Sequence, residues 1–105
     1  AHYNFSLLAA KVHIPDEGEP LALLVVKNNG TAHVRYHLSY KIIDEQGSLV
    51  SEGSPGEKII LPGFKRGEYF PLKEDLFAGN YNLILEFKFY GTEKLLKKNV
   101  QFKIY

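Results

Sequence analysis

Residues 76–89, with the sequence LFAGNYNLILEFKF, contain the longest alternating run in the chain. From position 81 onward, every second residue is a large apolar or aromatic one, namely Tyr81, Leu83, Leu85, Phe87 and Phe89. The positions between them are polar apart from Ile84. Because successive side chains of an extended strand point to opposite faces, this pattern predicts a β-strand with one buried face.

The turn before this strand reads Leu76-x-x-Gly79-x-Tyr81, which resembles the tyrosine corner of Greek-key β-sandwiches. In such a corner, a tyrosine near the start of a late strand donates its hydroxyl to a backbone carbonyl a few residues upstream. Gly79 would supply the backbone conformation that the corner requires. The alternative is an ordinary loop with a buried tyrosine. Either way we expect these residues to stabilise the fold, not to react.

Further strands are predicted on both sides, separated by turns rich in Gly, Pro and Asn. They cover residues 3–14, 21–26, 33–42, 49–51, 59–61 and 94–105, with 70–72 as a weak candidate. In the first strand, the inward-facing residues shift near Ala10 and Lys11, which predicts either a bulge or a strand that changes sheets. Lys98 interrupts the inward face of the last strand, which predicts either a bulge or a lysine that reaches out to solvent.

The connections add detail to this prediction. Residues 21–26 are apolar on both faces, as in a central strand, and the turn at 28–30 is expected to lead into an antiparallel neighbour. Residues 53–56 (GSPG) are expected to separate two short strands. Pro71 favours an edge position for its segment, and the other candidate edges are residues 49–50 and the first strand. One turn of helix is expected at most, at 73–77.

Together these segments predict an all-β fold, an immunoglobulin-like antiparallel β-sandwich of about seven strands with Greek-key connections. The 105 residues fit a single domain, 1–105, which is long enough to bury roughly two-thirds of the surface of its unfolded chain. The chain has no cysteine, so thiol catalysis, zinc–thiolate sites and disulfides are excluded.

Charge and hydropathy exclude other classes of partner. A formal net charge of +1 provides no overall field to attract nucleic acid, so no nucleic-acid partner is predicted. No run of about 18 apolar residues exists, so no membrane insertion is predicted.

Neither an enzyme nor a cofactor is predicted. His33 and His37 share a strand face but would lie about 13 Å apart, too far to hold one metal ion. The serines at 48, 51 and 54 lack the sequence of a nucleophile elbow, and no Asp-x-Asp-x-Asp calcium loop is present.

The segment 63–70, with the sequence GFKRGEYF, combines aromatic and basic residues. Its candidate partner-binding residues are Phe64, Lys65, Arg66, Tyr69 and Phe70. Such a mixture can anchor a protein contact. The alternative is that Phe64 or Phe70 closes one end of the sandwich, while Lys65 and Arg66 are solvent-exposed turn residues.

A broader resemblance follows from the turn motifs. The segments 25–30 (VVKNNG), 44–47 (DEQG), 61–63 (LPG) and the corner resemble immunoglobulin-like domains of bacterial and archaeal cell-surface proteins. These include the cell-adhesion-related domain found in bacteria and, for the first part, the amino-terminal domain of pilus chaperones. The resemblance implies a location outside the cytoplasm. The basic pair and second domain of pilus chaperones are not found here.

The sequence therefore predicts a non-catalytic module that binds another protein in an accessory, adhesion or assembly role. An edge strand or the aromatic segment would make the contact, and a homodimer could use the same surfaces. Two alternatives remain open: a small β-sandwich protease inhibitor whose reactive loop is one of the Gly/Pro-rich connections, such as residues 51–58, and a carbohydrate-binding module that uses tyrosine platforms.

Overall fold

The computed structural model describes residues 3–72 and 75–105, which form seven strands and no helix. The strands are β1 (Phe5–His13), β2 (Leu21–Asn28), β3 (Val34–Ile43), β4 (Leu49–Ile60), β5 (Lys65–Pro71), β6 (Gly79–Phe89) and β7 (Leu95–Ile104). Because no described element is a helix, none is a long apolar helix that could cross a membrane.

The strands form two antiparallel sheets, with the order β1-β2-β5 in one and β4-β3-β6-β7 in the other. The connections β2–β3, β4–β5 and β5–β6 cross from one sheet to the other, as in Greek-key sandwiches. The predicted fold class, an immunoglobulin-like antiparallel β-sandwich, is confirmed. The predicted edges are also confirmed in position, since β1, β4 and β5 are all edge strands.

Strand β6 lies at the centre of the core, as its alternation predicts. Tyr81, Leu83, Leu85 and Phe87 are buried, and the last three are fully inaccessible to solvent. They share one buried cluster with the inner side chains of β3, the neighbouring strand, and of β2, in the opposite sheet. The remaining large buried residues include Leu24, Tyr36, Leu38, Ile42 and Ile60. Burying side chains of this size contributes about 1.5–3 kcal/mol each, so this layer is the main source of stability.

The hydroxyl of Tyr81 donates a 2.6 Å hydrogen bond to the carbonyl of Phe77, four residues upstream. This is the hydrogen bond that a tyrosine corner requires. Gly79 adopts φ = 151°, a region that side chains disfavour, and Leu76 packs against the core. The ring of Tyr81 stacks on Phe102 of β7 at 5.5 Å, so the corner also joins two neighbouring strands.

Two short strands were predicted around residues 53–56, and this prediction is wrong. Both belong to the single 12-residue strand β4, which pairs with β3 along its length. The pairing register shifts between Leu38 and Tyr40, opposite this Gly-Pro segment. A bulge at this point accommodates the residues of β4 that do not pair with β3. Gly53 is required here, since a Cβ atom on it would lie 2.7 Å from the Tyr40 hydroxyl oxygen.

The turn at residues 28–30 does not lead to a neighbouring strand, contrary to prediction, but carries the chain into the opposite sheet. The buried Asn28 explains the crossing. Its amide nitrogen donates to the carbonyls of Ala32 and Ile60, at 2.8 and 2.9 Å, and its side-chain oxygen accepts from the backbone of Gly30. One asparagine thereby satisfies polar groups of the connection and of β4, which the crossing would otherwise leave unpaired.

Smaller differences concern the edges. The bulge in β1 lies at Leu8, between Leu7 and Ala9, two residues before its predicted place, so Ala9 faces outward and Ala10 inward. The pairing of β6 with β7 is continuous across Lys98, so the predicted bulge is absent there. Lys98 is exposed because β7 is an edge strand. Residues 75–77 are not helical, and the rest of the helical turn predicted at 73–77 lies outside the described residues.

Candidate docking face

The aromatic and basic segment 63–70 is mostly a strand, not a loop. From Lys65 onward it is β5, the edge strand beside β2, and the strand sends alternate side chains to opposite faces. Arg66, Glu68 and Phe70 point inward, whereas Lys65, Tyr69 and Pro71 point outward. The predicted partner-binding residues of β5 are therefore divided between two faces of the strand.

Phe70 belongs to the core, with an exposed fraction of 9%, and its ring stacks on Tyr40 of the opposite sheet at 5.3 Å. Phe70 therefore packs inside the sandwich, which is the alternative that the sequence analysis gave for this residue. Phe64, in the turn before β5, is 61% exposed, and Tyr69 is 74% exposed. Only these two aromatic rings of the segment remain available to a partner.

Arg66 and Glu68 take part in a polar network between the sheets. The Tyr36 hydroxyl of β3 donates to Glu68 Oε1 at 2.8 Å, and Arg66 Nε donates to the same oxygen at 3.0 Å. Arg66 also reaches the carbonyl of Ile59 at 2.7 Å and the Tyr36 oxygen at 3.2 Å. The network therefore joins the edge strand β5 to β3 and β4, so Arg66 is a structural residue.

The electrostatics of this network follow from burial. Burial raises the pKa of Tyr36 above its ordinary value, and the hydrogen bond to Glu68 raises it further, so the hydroxyl keeps its proton. Glu68 Oε2 is buried and has no hydrogen-bond partner among the described residues. Among the described residues, the Glu68 carboxylate is thus stabilised through Oε1 alone, by the ion pair with Arg66 and the hydrogen bond from Tyr36.

The outward side chains of β1, β2 and β5 form a second surface, which we call the outer face. It has a central row of aliphatic residues on β2, Leu21, Leu23 and Val25. The register places Leu23 between Lys11 and Tyr69, Leu21 between His13 and Pro71, and Val25 between Ala9 and Gly67. Leu8, at the bulge of β1, is also exposed, at 52%.

This composition differs from that of the opposite sheet. Antiparallel sandwiches normally present a polar outer surface, and the four-stranded sheet does so with residues such as Ser39, Glu86 and Lys88 paired across β3 and β6. On the outer face, by contrast, three of the four outward positions of the central strand are aliphatic, and the fourth is Lys27. Leu21, Leu23 and Val25 are each half-buried, so the row presents a partly exposed apolar surface. Apolar patches on a protein surface are typical of interaction sites.

The charges on the outer face are all of one sign. Lys11 lies beside the apolar row, while Lys27 and Lys65 are cross-strand partners at one end of it. The outward positions of the three strands carry no carboxylate, because Glu68 points inward. The nearest acidic residues along the chain are Asp16, Glu17 and Glu19, in the connection between β1 and β2. The outer face therefore has an apolar centre with a basic margin.

The sequence prediction of site residues missed Leu21, Leu23 and Val25. Their signal was present, since residues 21–26 are apolar at every position, but it was interpreted only as evidence for a central strand. A central strand of a two-layer sandwich has one face to the core and one to solvent. Apolar residues on both faces therefore indicate either a third layer or a partner.

The other candidate chemistry is limited in the described part of the chain. No group of three metal-binding side chains occurs within residues 3–72 and 75–105. Ser54 Oγ lies 2.7 Å from His37 Nε2, on neighbouring strands, and also 3.2 Å from the carbonyl of Leu38. The pair lies on the exposed outer surface of β3 and β4, where it joins the two strands.

No family model matches the chain, and no curated protein matches it. Solved structures with a similar fold include a family 123 glycoside hydrolase from Clostridium perfringens, with a TM-score of 0.60 and 16% identity over 80% of this chain. A calcium-binding mutant of β-glucuronidase 2 from Bacteroides uniformis gives 0.63 and 15% over 98%. β-glucosidase 3B from Thermotoga neapolitana, in complex with glucose, gives 0.58 and 13% over 97%.

The match covers 20%, 13% and 17% of these three enzymes, respectively, so this chain spans less than a quarter of each. At such identities the likeness shows the fold alone. The similar structures are β-sandwich parts of glycoside hydrolase chains.

Proposed function

We propose that this chain is a non-catalytic docking module that binds another folded protein or domain through the outer face. The observation that carries the proposal is the aliphatic row Leu21, Leu23 and Val25 on the solvent side of the central strand. An interface needs a desolvated apolar centre with anchoring aromatic residues. The outer face offers this centre, with Tyr69 beside Leu23.

Charge complementarity specifies the partner. Lys11 lies on one side of the apolar row, and Lys27 and Lys65 lie at one end of it, so the partner surface is apolar at its centre and carries Asp or Glu opposite these lysines. A second copy of this chain would bring lysines against lysines, which disfavours a homodimer through this face. The same basic margin makes the association rate sensitive to ionic strength.

The edge strands provide less suitable routes. An added partner strand needs an uninterrupted row of free backbone groups. β1 has a bulge at Leu8, β4 contains bulges and Pro55, and β5 ends at Pro71. β7 is regular but carries the exposed Lys97, Lys98 and Lys103, a common device against strand pairing.

The occurrence of this fold as a fraction of larger enzymes supports an accessory role. Residues 51–58, the example given for a protease-inhibitor loop, lie within β4, so this segment is not a loop. A role in adhesion or assembly and a location outside the cytoplasm stay predictions that rest on the resemblance described above.

The test places a photoreactive amino acid at position 69, or at position 88 on the opposite sheet as a control. Crosslinked proteins from the source cells are identified, and the partner is then purified for binding measurements. We expect crosslinking from position 69 only. Replacing Leu23 with Glu is expected to weaken binding by at least about tenfold, which corresponds to about 1.4 kcal/mol.

The matched control is Ile84→Glu. Ile84 is also an outward aliphatic residue on a central strand, but it lies on the four-stranded sheet, so we expect unchanged affinity. Urea titrations of both variants verify that each remains folded. If Leu23→Glu leaves the affinity unchanged, or if Ile84→Glu weakens it equally, the proposed face is wrong. If light scattering shows that the wild-type protein is a dimer and that the Leu23→Glu variant is a monomer, the partner bound to the outer face is a second copy of this chain.

A further inference from the structure

A pocket of about 300 Å³ opens at the end of the sandwich where β1 and β3 begin and where β6 turns into β7. Its floor includes Phe5, whose ring packs against Phe87 at 5.6 Å and against Phe89 at 5.1 Å. Because Phe87 belongs to the core and Phe5 and Phe89 pack against it, the floor of the pocket is apolar. The size suits a single six-membered ring with substituents.

Two tyrosines form exposed parts of the wall. Tyr3 precedes β1 and is 68% exposed, while Tyr90 follows β6 and is 48% exposed. The guanidinium of Arg35 lies over the Tyr90 ring, 4.9 Å from its centroid. Aromatic walls of this kind bind flat apolar surfaces, such as an aromatic ring or the C–H face of a sugar.

The position of Arg35 is fixed from its other side. Its Nε forms a short hydrogen bond and ion pair with Glu57 of β4. The hydrogen bond from Arg35 lowers the pKa of the Glu57 carboxyl, and a hydrogen bond with Tyr90 contributes to the same effect. Among the described residues, this Nε bond is the only side-chain hydrogen bond of Arg35, so both terminal nitrogens remain available.

The charged residues that line the pocket are all basic. Of its eleven lining residues, two are cationic, Arg35 and Lys94, and none is acidic. Glu57 holds Arg35 from outside the pocket lining. A ligand that places a carboxylate between Arg35 and Lys94 would gain charge-assisted hydrogen bonds, while its ring lies on Phe5 and the tyrosines.

We propose that this end pocket binds a small six-membered ring that carries a carboxylate, either a uronic acid or an aromatic acid. The ring contacts Tyr3, Phe5 and Tyr90, and the carboxylate accepts hydrogen bonds from Arg35 and Lys94. The proposal is independent of the docking face, since the pocket shares no lining residue with the outward side chains of β1, β2 and β5 that form the face. If the pocket fails its test, the proposal of the docking face is unaffected, and the reverse also holds.

The test is a titration of the ¹⁵N-labelled protein with D-glucuronate, D-glucose, benzoate and cyclohexanol, followed by NMR. The two neutral compounds match the acids in ring size and lack the carboxylate. We expect chemical-shift changes confined to the residues that line the pocket, with one of the acids binding at least about tenfold more tightly than its neutral counterpart. Preferential binding of D-glucuronate would identify the ligand as a uronic acid, and preferential binding of benzoate would identify it as an aromatic acid.

Two variants test the cations. Arg35→Gln and Lys94→Gln are each expected to weaken binding by about tenfold or more. Lys65→Gln, which removes a lysine of the outer face, is the matched control and should bind normally. Glu57→Gln is made alongside Arg35→Gln, because the arginine variant also leaves this carboxylate unpaired.

Three results would overturn the proposal. One is the absence of shifts at the pocket with either acid at about 50 mM, roughly the weak limit of useful affinity. Another is equal binding of the neutral compounds. The third is normal binding by both the Arg35→Gln and the Lys94→Gln protein.

Discussion

Replacing Tyr36 with Phe removes one hydroxyl from the network between the sheets and leaves the ring in place. The ring is completely buried and packs against Phe5 at 5.2 Å and Phe87 at 5.5 Å, contacts that phenylalanine keeps. The lost interactions are the 2.8 Å hydrogen bond to Glu68 and the 3.2 Å bond from Arg66. Arg66 and Glu68 remain paired with each other at 2.8 Å.

The expected cost follows from the charge of the acceptor. A hydrogen bond to a charged group contributes about 1.5–3 kcal/mol, so we expect Tyr36→Phe to lower the free energy of unfolding by about 2 kcal/mol at pH 7. For a domain of this size, that corresponds to a fall in Tm of about 8–16 °C. Urea denaturation, monitored by circular dichroism, measures the free energy of unfolding. The slope of this free energy against urea concentration should be the same in the variant as in the wild type.

The pH dependence provides an independent test. The pKa of Tyr36 is raised in the folded protein, so its contribution to stability is complete below about pH 10, the ordinary tyrosine value. As the pH rises above this value, the unfolded chain loses the proton first, and stability falls by up to about 1.4 kcal/mol per pH unit. The difference between wild type and Tyr36→Phe should therefore narrow above pH 10.

The control is Tyr69→Phe, which removes an exposed hydroxyl and should change stability by less than about 0.5 kcal/mol. If Tyr36→Phe costs no more than this control, the network does not hold the sheets together. A difference from wild type that stays constant between pH 9 and 11 would refute the assigned ionisation behaviour.

Two further predictions concern the backbone. Tyr81→Phe removes the hydrogen bond to the Phe77 carbonyl and is expected to cost about 1 kcal/mol in a urea titration; an unchanged midpoint would mean that the corner does not contribute. Gly53→Ala places a Cβ atom within 2.8 Å of the Tyr40 ring and is expected to cost about 1–3 kcal/mol by the same assay. Gly67→Ala, whose Cβ would have only one neighbour, at 4.0 Å, is its control, and equal losses in the two variants would contradict the steric reason.

Strong alternation was sufficient to predict β3, β6 and β7. In β6, the buried positions from Tyr81 to Phe87 follow the pattern of the sequence residue for residue. The alternation works because one face of each strand contacts the core and the other contacts water, so local chemistry and tertiary environment agree. The tyrosine corner could be recognised for a similar reason, since its turn and its hydrogen bond lie within a few residues of each other.

The prediction failed where long-range pairing overrides local preference. Gly53, Pro55 and Gly56 indicate a break, yet pairing with β3 continues across them because a bulge absorbs the mismatch. Arg66 resembled a surface residue of a turn, since nothing local reveals that Tyr36, thirty residues earlier, lies within its reach. Sequence separation of this size hides such partners.

The candidate site was predicted only in part. Tyr69 was identified, because an aromatic residue among polar ones is conspicuous, whereas the aliphatic row of β2 was treated as core. Assigning these residues to a surface requires knowledge that β2 belongs to a three-stranded sheet with nothing over it among the described residues. That is a property of the topology, which the local sequence does not contain.

The directions of the first and last strands determine how the domain would respond to mechanical load. The start of β1 lies beside the start of β7, where Phe5 and Leu96 line one groove, so Tyr3 and Tyr105 are near opposite ends of a body about 47 Å long. Tension applied between them pulls along the strands, and hydrogen bonds perpendicular to the strands then share the force instead of opening one by one. From these strand directions we expect the sandwich to be loaded in shear when it is stretched between these two ends.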